Sequence, residues 1–133
     1  MGKLEANNTQ LLLQSFGFKY GLPAEADFIF DVRCLPNPYW EPQLKTLTGL
    51  DSEVCRYFAD LPKVQQMLDD ITNFVKKWVP AFQTNDRSNI TLAIGCTGGQ
   101  HRSVYMIESL SKKIVSSIDN ISVSHRELMA KKV

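Results

Sequence analysis

The chain has 133 residues, of which 44% are hydrophobic and 22% charged, with a formal net charge of +1. This composition is typical of one soluble globular domain, and it excludes both a membrane-spanning helix and a global electrostatic attraction to nucleic acid. Three widely spaced cysteines without zinc-ligand spacing favour reduced thiols in the cytoplasm, with no metal site. We therefore expect a cytoplasmic domain over residues 11–133 that contacts no membrane, preceded by a flexible leader over residues 1–10.

The first predicted strand is short and comprises residues 11–13 together with Phe16. Glycine and proline punctuate residues 15–23, which predicts a loop there. Aromatic residues alternate along this loop and favour anchoring in the core. The alternative is that Lys19 and the loop amides contact a ligand.

A second strand is predicted over residues 26–32, whose continuous apolar run is typical of a strand buried on both faces. Asp31 and Arg33 follow at its carboxyl end, which faces the ligand crevice in open α/β sheets. They either contact a ligand there or form a surface ion pair. The proline-rich segment 34–42 excludes regular structure. It can present polar and aromatic side chains at fixed positions, namely Asn37, Tyr39 and Trp40.

Two helices are predicted next. Asp51 can cap a helix over Ser52–Ala59, and Asp60 can cap a long helix with Pro62 in its first turn. The apolar residues of the long helix follow helical spacing, so we interpret them as core rather than as a cofactor site. They are Val64, Met67, Leu68, Ile71, Phe74, Val75, Trp78 and Val79. Pro80 is expected to end or kink this helix.

The most informative stretch is a strand over residues 90–94, a glycine loop and an amphipathic helix with a buried stripe from Val104 to Ile118. The glycine loop comprises residues 95–103, with the sequence GCTGGQHRS. A short strand at 121–123 and a helical turn after Ser124 complete the pattern. Alternating strands and helices predict an α/β fold with a small, mostly parallel sheet flanked by helices.

The glycine loop is expected to bind an anion, and phosphate fits it best. The first amides of a helix lack partners within the helix and carry the positive end of its dipole, while glycines allow close approach to the backbone. His101 and Arg102 would be unfavourable cations in a first helical turn unless a negative group lies beside them. That group is either a bound phosphate or a buried carboxylate such as Asp31.

The same loop also matches the C-x5-R-S/T pattern of cysteine-dependent phosphatases, in which a thiolate attacks phosphorus. In this alternative Cys96 is the nucleophile, Arg102 holds the phosphate and Asp31 is the candidate general acid. Gly99 falls at the usual glycine position, but Gly95 stands where those enzymes usually have histidine.

Four segments resemble motifs of the C-terminal domain of the RapZ/YvcJ family. They are residues 15–23 (SFGFKYGLP), 31–40 (DVRCLPNPYW), 47–51 (LTGLD) and 93–105 (AIGCTGGQHRSVY). They occur in the family's order, and the resemblance extends over residues 11–132. It implies an α/β fold like a phosphofructokinase subdomain. Full-length members carry an N-terminal P-loop ATPase domain, whose motif does not occur here, so no ATP hydrolysis is expected of this chain.

The resemblance implies a binding domain, rather than an enzyme, that senses glucosamine-6-phosphate and needs no cofactor of its own. The residues implied for the sugar phosphate are Asp31, Tyr39, Cys96, Thr97, Gly98, Gly99, His101, Arg102 and Ser103. Tyr39 stands where RNA-adapter members often have histidine, and Gln100 where lysine is common. The site here therefore carries less positive charge than in some relatives.

Family members of the adapter type also bind a small regulatory RNA and present it to an endoribonuclease, which controls amino-sugar synthesis. The candidate RNA contacts are Lys112, Lys113, Arg126, Lys131 and Lys132. Asp119 and Ala130 stand where further basic residues are expected, which would weaken binding and raise its salt sensitivity. A solvated helix end is the alternative for this segment. A homo-oligomer is also expected, and an oligomerisation or protein-interaction module is the remaining alternative function.

Overall fold

The computed structural model describes residues 9–83 and 87–131, with the side chains of the last helix described as far as Leu128. The strands are β1 (Gln10–Gly17), β2 (Phe28–Asp31), β3 (Asn89–Cys96) and β4 (Ile121–His125). The helices are α1 (Ser52–Ala59), α2 (Pro62–Gln83), α3 (Arg102–Ile114) and α4 (Arg126–Lys131). The strands form one parallel sheet in the order β2-β3-β1-β4, which confirms the predicted α/β class.

The two central strands, β1 and β3, determine where a ligand can bind. They pair along their whole length, from Gln10 opposite Asn89 to Gly17 opposite Cys96. Because all the strands are parallel, their carboxyl ends meet at one edge of the sheet, which is the usual place for ligands in α/β folds. The glycine loop follows β3 directly and therefore lies at this carboxyl edge.

One face of the sheet is packed against helices, and the hydrophobic core lies between them. Alternate residues of the central strands, including Leu11, Leu13, Leu92 and Ile94, are fully buried there. The buried stripe of α3 packs against β1, β3 and β4, as the helical spacing predicts. No helix in the described ranges is long and apolar enough to cross a bilayer.

The strand β2 lies at one edge of the sheet, and the prediction that both its faces are buried is wrong. Ile29 is 41% exposed, whereas Phe28 and Phe30 turn toward α2. Both rings pack edge-on against Phe74, with centroids 5.3 Å apart in each pair. In β2 the continuous apolar run therefore does not indicate two buried faces, because Ile29 projects from the exposed face.

Three strands are longer than predicted: β3 begins at Asn89 and continues to Cys96, and in β1 and β4 tertiary pairing overrides local turn signals. β1 continues through Ser15 to Gly17, since these residues pair with the end of β3. β4 continues to His125, whose ring bridges two other elements. Its Nδ1 lies 2.7 Å from the buried hydroxyl of Ser15, and its Nε2 lies 2.7 Å from the carboxylate of Glu108 on α3.

The first three helices begin where the sequence predicts, but α4 begins at Arg126 instead of directly after Ser124, because Ser124 and His125 belong to β4. Asp60, predicted to cap α2, is instead the C-cap residue of α1. Three further details differ. Asp51 forms no side-chain cap on α1, because its carboxylate accepts a hydrogen bond from the Thr48 N–H instead. Pro80 does not end α2, which continues to Gln83. Trp78, predicted to be in the core, is 45% exposed on the same helix.

Phe74 should contribute most to holding β2 against α2. We expect Phe74→Ala to lower the free energy of unfolding by about 2 to 3 kcal/mol, since a half-buried ring between two strand residues is lost. Trp78→Ala, one helical turn further on, should cost less than about 1 kcal/mol because that ring is exposed. Urea unfolding of both variants measures the difference, and equal losses would contradict this packing.

Candidate functional site

The glycine loop is held in shape by backbone contacts with two other turns. A Cβ placed on Gly17 at the end of β1 would come 2.6 Å from the carbonyl carbon of Gly98. On the other side, the Gly49 N–H donates to the Gln100 carbonyl at 2.8 Å. Gly99 has a φ of +72°, in the left-handed region that favours glycine. The loop therefore has room for backbone but for no additional side chain at these contacts.

The donors of this loop remain available. Among the described residues, the N–H groups of Gly98, Gly99 and Gln100 donate no hydrogen bond. By contrast, the carbonyl of Thr97 accepts from the Lys19 N–H at 3.2 Å. The scaffold thus occupies acceptors of the loop and leaves three donors free, which is the arrangement that binds anions.

A cavity of about 580 Å³ lies in front of the loop, a size suited to a small-molecule ligand. Three further segments complete its wall: residues 19–20, 37–40 and 45–47. Its lining residues are Lys19, Tyr20, Asn37, Tyr39, Trp40, Lys45, Thr46, Leu47, Cys96, Thr97, Gly98, Gln100, His101 and Arg102. The predicted site residues outside this lining are Asp31, Gly99 and Ser103.

Arg102 is the buried cation of the site. It is 5% exposed, and its Nη1 donates to the carbonyls of Arg33 at 2.8 Å and Leu35 at 3.1 Å. Its Nη2 makes a longer contact of 3.4 Å with the Thr97 hydroxyl. Its Nε is buried and has no hydrogen-bond partner within the described ranges. A buried donor without a partner costs about 1 to 3 kcal/mol, and more in a charged group.

Cys96 and Ser103 connect the end of β3 to the start of α3. The Cys96 sulfur lies 3.2 Å from the Ser103 hydroxyl and 3.4 Å from its N–H. The thiol is 2% exposed although it forms part of the cavity wall. The first turn of α3 contains no acidic residue, and the side chain of its N-cap residue, His101, makes no capping hydrogen bond. The positive end of the helix dipole is therefore not compensated by these groups.

His101 is not a second cation of the loop. Its ring is buried, and this burial lowers the pKa of His101 below its usual value, so the ring is neutral at pH 7. Its Nε2 lies 3.2 Å from the Leu44 carbonyl, which can only accept, so Nε2 carries the proton. His101 therefore ties the segment 44–47 to the loop and leaves the charge to Arg102.

Asp31 forms the surface ion pair that the sequence left open. Its carboxylate accepts from the Arg33 backbone N–H, from Nε at 2.9 Å and from Nη2 at 2.7 Å. These hydrogen bonds hold the pKa of Asp31 below its usual range. The carboxylate is therefore ionised at neutral pH and has no proton to donate to a leaving group, as a phosphatase would require.

Two lysines supply charge at the rim of the cavity. The ammonium of Lys19 lies 5.3 Å from the Tyr20 ring centroid, and that of Lys45 lies 4.7 Å from the Tyr39 centroid. Neither forms a salt bridge in the described part of the chain. Lys45 could not be predicted, because it reaches the cavity through the turns of residues 41–47 and no local motif marks it.

Three of the five candidate RNA contacts have side chains that the structure describes. Lys112 and Lys113 are exposed at the end of α3. Arg126 is engaged with Glu127 and with the Gly21 carbonyl, each at 2.7 Å. Lys132 and the side chain of Lys131 lie outside the described residues. Within the same ranges, no three histidine, cysteine or acidic side chains are placed to hold a metal ion.

Comparison with known proteins gives a match over nearly the whole chain. The family model of the RapZ C-terminal domain matches residues 9–129. A nucleotide-binding protein of Saccharophagus degradans is 50% identical over 127 residues, which are 96% of this chain and 44% of that relative. Nucleotide-binding proteins of Pseudomonas fluorescens and Azotobacter vinelandii are 51% and 50% identical over 120 residues, 90% of this chain and 42% of each. The chain thus spans less than half the length of these curated relatives.

The contact between Gly17 and Gly98 allows a matched test of the loop. Gly17→Ala should lower the free energy of unfolding by about 1 to 3 kcal/mol, because its Cβ forces two backbone segments apart. Gly98→Ala should cost less than about 1 kcal/mol, since its nearest obstacle is the Gln100 side chain at 3.9 Å. Chemical denaturation measures both, and a larger loss for Gly98→Ala would contradict the described packing.

The buried neutral His101 predicts a pH dependence of stability. Its pKa is lower in the folded than in the unfolded chain, so its stabilisation is complete above about pH 6.5 and is lost as the pH falls below that value. His101→Asn should flatten the fall in melting temperature between about pH 7.5 and 5.5. His125, the other histidine of the chain, is present in both proteins, so its contribution cancels. Identical pH profiles would refute the assignment.

Proposed function

This chain is a member of the family of RapZ C-terminal domains, and we propose that it binds a sugar phosphate of the glucosamine-6-phosphate type in the cavity at its glycine loop. The proposal assigns it the sensing part of an RNase adapter that regulates amino-sugar synthesis. The names of the curated relatives record nucleotide binding for proteins more than twice as long as this chain.

The observation that carries the proposal is the unpaired Nε of Arg102. Arg102 lines the cavity and is 5% exposed, and its buried Nε has no partner among the described residues, although buried polar groups are almost always paired. A phosphate offers acceptor oxygens on several sides and matches the planar fork of arginine. Two free N–H groups of the loop whose residues line the cavity, those of Gly98 and Gln100, can hold further oxygens.

The outer part of the cavity suits a sugar. Tyr39 and Trp40 lie at its rim, 45% and 77% exposed, with ring centroids 5.4 Å apart. Aromatic rings of this kind present apolar faces, while the Tyr39 hydroxyl can donate or accept a hydrogen bond. Lys19 and Lys45 add positive charge beside the phosphate position. For Asp31 to contact the sugar as proposed, its carboxylate must bind the sugar and Arg33 at the same time.

Binding without hydrolysis accounts for the same residues better than catalysis does. Two donors of Arg102 are used on the carbonyls of Arg33 and Leu35, which fixes the guanidinium. The Cys96 thiol is almost fully buried beside Ser103. The ionised Asp31 supplies no general acid. We therefore assign Cys96 to the wall of a binding site.

The RNA part of the proposal has less support in the fold. Lys112 and Lys113 are exposed on consecutive positions of α3 and can contact phosphates. Binding of a small regulatory RNA, its presentation to an endoribonuclease and homo-oligomer formation rest on the family resemblance and stay predictions.

Thermal shift and calorimetry with four ligands test the sugar-phosphate site: glucosamine-6-phosphate, glucose-6-phosphate, inorganic phosphate and unphosphorylated glucosamine. A phosphorylated ligand at 100 times its Kd should stabilise the domain by about 2.7 kcal/mol, whereas glucosamine should leave the melting temperature unchanged. Arg102→Lys should weaken binding at least about tenfold, because lysine keeps the charge but loses the fork.

Two lysine variants form a matched pair, one at the cavity rim and one outside the cavity. Lys45→Ala at the cavity rim should weaken phosphate binding, whereas Lys76→Ala, an exposed residue of α2 outside the cavity, should not. No stabilisation by any phosphorylated ligand would refute the proposal. Hydrolysis of an aryl phosphate that disappears in Cys96→Ser would instead favour the phosphatase alternative.

A further inference from the structure

The last helix supplies residues that contact the glycine loop on the side away from the cavity. α4 begins directly after β4 and places Glu127 against both chain segments that form the loop contact. Its side chain is 7% exposed, and its Oε2 accepts a hydrogen bond from the Gly17 N–H at 2.9 Å. A Cβ on Gly99 would come 2.5 Å from the Glu127 Cγ. Glu127 thus touches Gly17 and Gly99 together, although it does not line the cavity.

Arg126 offsets the free-energy cost of burying the Glu127 carboxylate. Its Nε and Nη2 lie 2.9 Å and 2.7 Å from the same Oε2 of Glu127. The Nη2 also donates to the Gly21 carbonyl at 2.7 Å. A buried carboxylate is costly unless it is paired and hydrogen-bonded, and both conditions are met here.

We propose that Glu127, with Arg126 as its counter-ion, is a positioning residue of the anion site, an inference that rests on the proposed function. Glu127 fixes the Gly17 backbone, and Gly17 in turn packs against the Gly98 carbonyl. The free N–H groups of the loop are therefore held in place before the anion arrives. Preorganised donors bind more tightly because little conformational freedom is lost on binding.

The sign of the effect separates positioning from simple electrostatics. A carboxylate near an anion site repels the ligand, so removing it should raise affinity if charge were its only contribution. Positioning predicts the opposite. We expect Glu127→Ala to weaken the binding of inorganic phosphate about tenfold, although it removes a negative charge. Glu127→Gln should stay within about threefold of the wild type, since its amide oxygen can still accept from the Gly17 N–H.

Asp27 provides a matched control at the other end of the sheet. Its carboxylate also accepts a backbone N–H, that of Thr91 at 2.8 Å, and it pairs with Arg87 at 2.6 Å. Asp27→Ala therefore removes the same type of interaction away from the cavity. It should lower the melting temperature and leave the phosphate Kd unchanged.

Calorimetry with inorganic phosphate and glucose-6-phosphate, well below the melting temperature of each variant, provides the measurement. Unchanged or tighter binding by Glu127→Ala overturns this inference alone, as does an equal loss in Asp27→Ala. Absence of binding by the wild type overturns both this inference and the proposed function.

If Glu127→Ala does not fold, amide exchange in the wild type gives the answer. Phosphate should slow the exchange of the Gly17 and Gly99 N–H groups, because the ligand and Glu127 hold the same loop from opposite sides. The Thr91 N–H should not change. No slowing at Gly17 would overturn the inference.

Discussion

The close approach of backbone to backbone at the carboxyl edge is the constraint on which the rest of this domain depends. Gly17 meets Gly98 there, and Gly49 meets the start of α3, at distances that leave no space for a Cβ. Three segments distant in sequence therefore meet without side chains between them. Their hydrogen bonds occupy the Thr97 and Gln100 carbonyls, so the acceptors of the loop face the scaffold and its donors stay free.

The electrostatics of the site follow from what is buried there. Burial keeps His101 neutral, and its ring holds the segment 44–47 through a hydrogen bond instead of contributing a charge. Two backbone carbonyls hold the Arg102 guanidinium from one side. The site therefore combines one fixed cation with the exposed lysines at its rim. This distribution of charge is consistent with the phosphate binding proposed above.

The sequence was most informative where structure is determined locally. The glycine loop, the start of α3 and the stripe of α2 follow from residue type and spacing over a few positions, and all three were predicted, except that Trp78 of the stripe is exposed. The ends of β1 and β4 were not, because Ser15 and His125 are held in strands by partners far along the chain. Lys45 and Glu127 escaped prediction for the same reason. Each reaches the site only through tertiary packing, and an isolated lysine or glutamate in a sequence carries no sign of it.

The bridging ring of His125 has a consequence for strand register. β4 is a five-residue edge strand that pairs only with β1 in the described part of the chain, and so short a ladder specifies the alignment weakly. His125 fixes the alignment of β4 with β1, because only one alignment brings its two ring nitrogens to Ser15 and Glu108 together. A slip by two residues would carry the start of α4 about 6.6 Å along the sheet and withdraw Glu127 from Gly17. The contacts of His125 on the helix-covered face of the sheet thus determine where the Glu127 carboxylate lies relative to the proposed anion site.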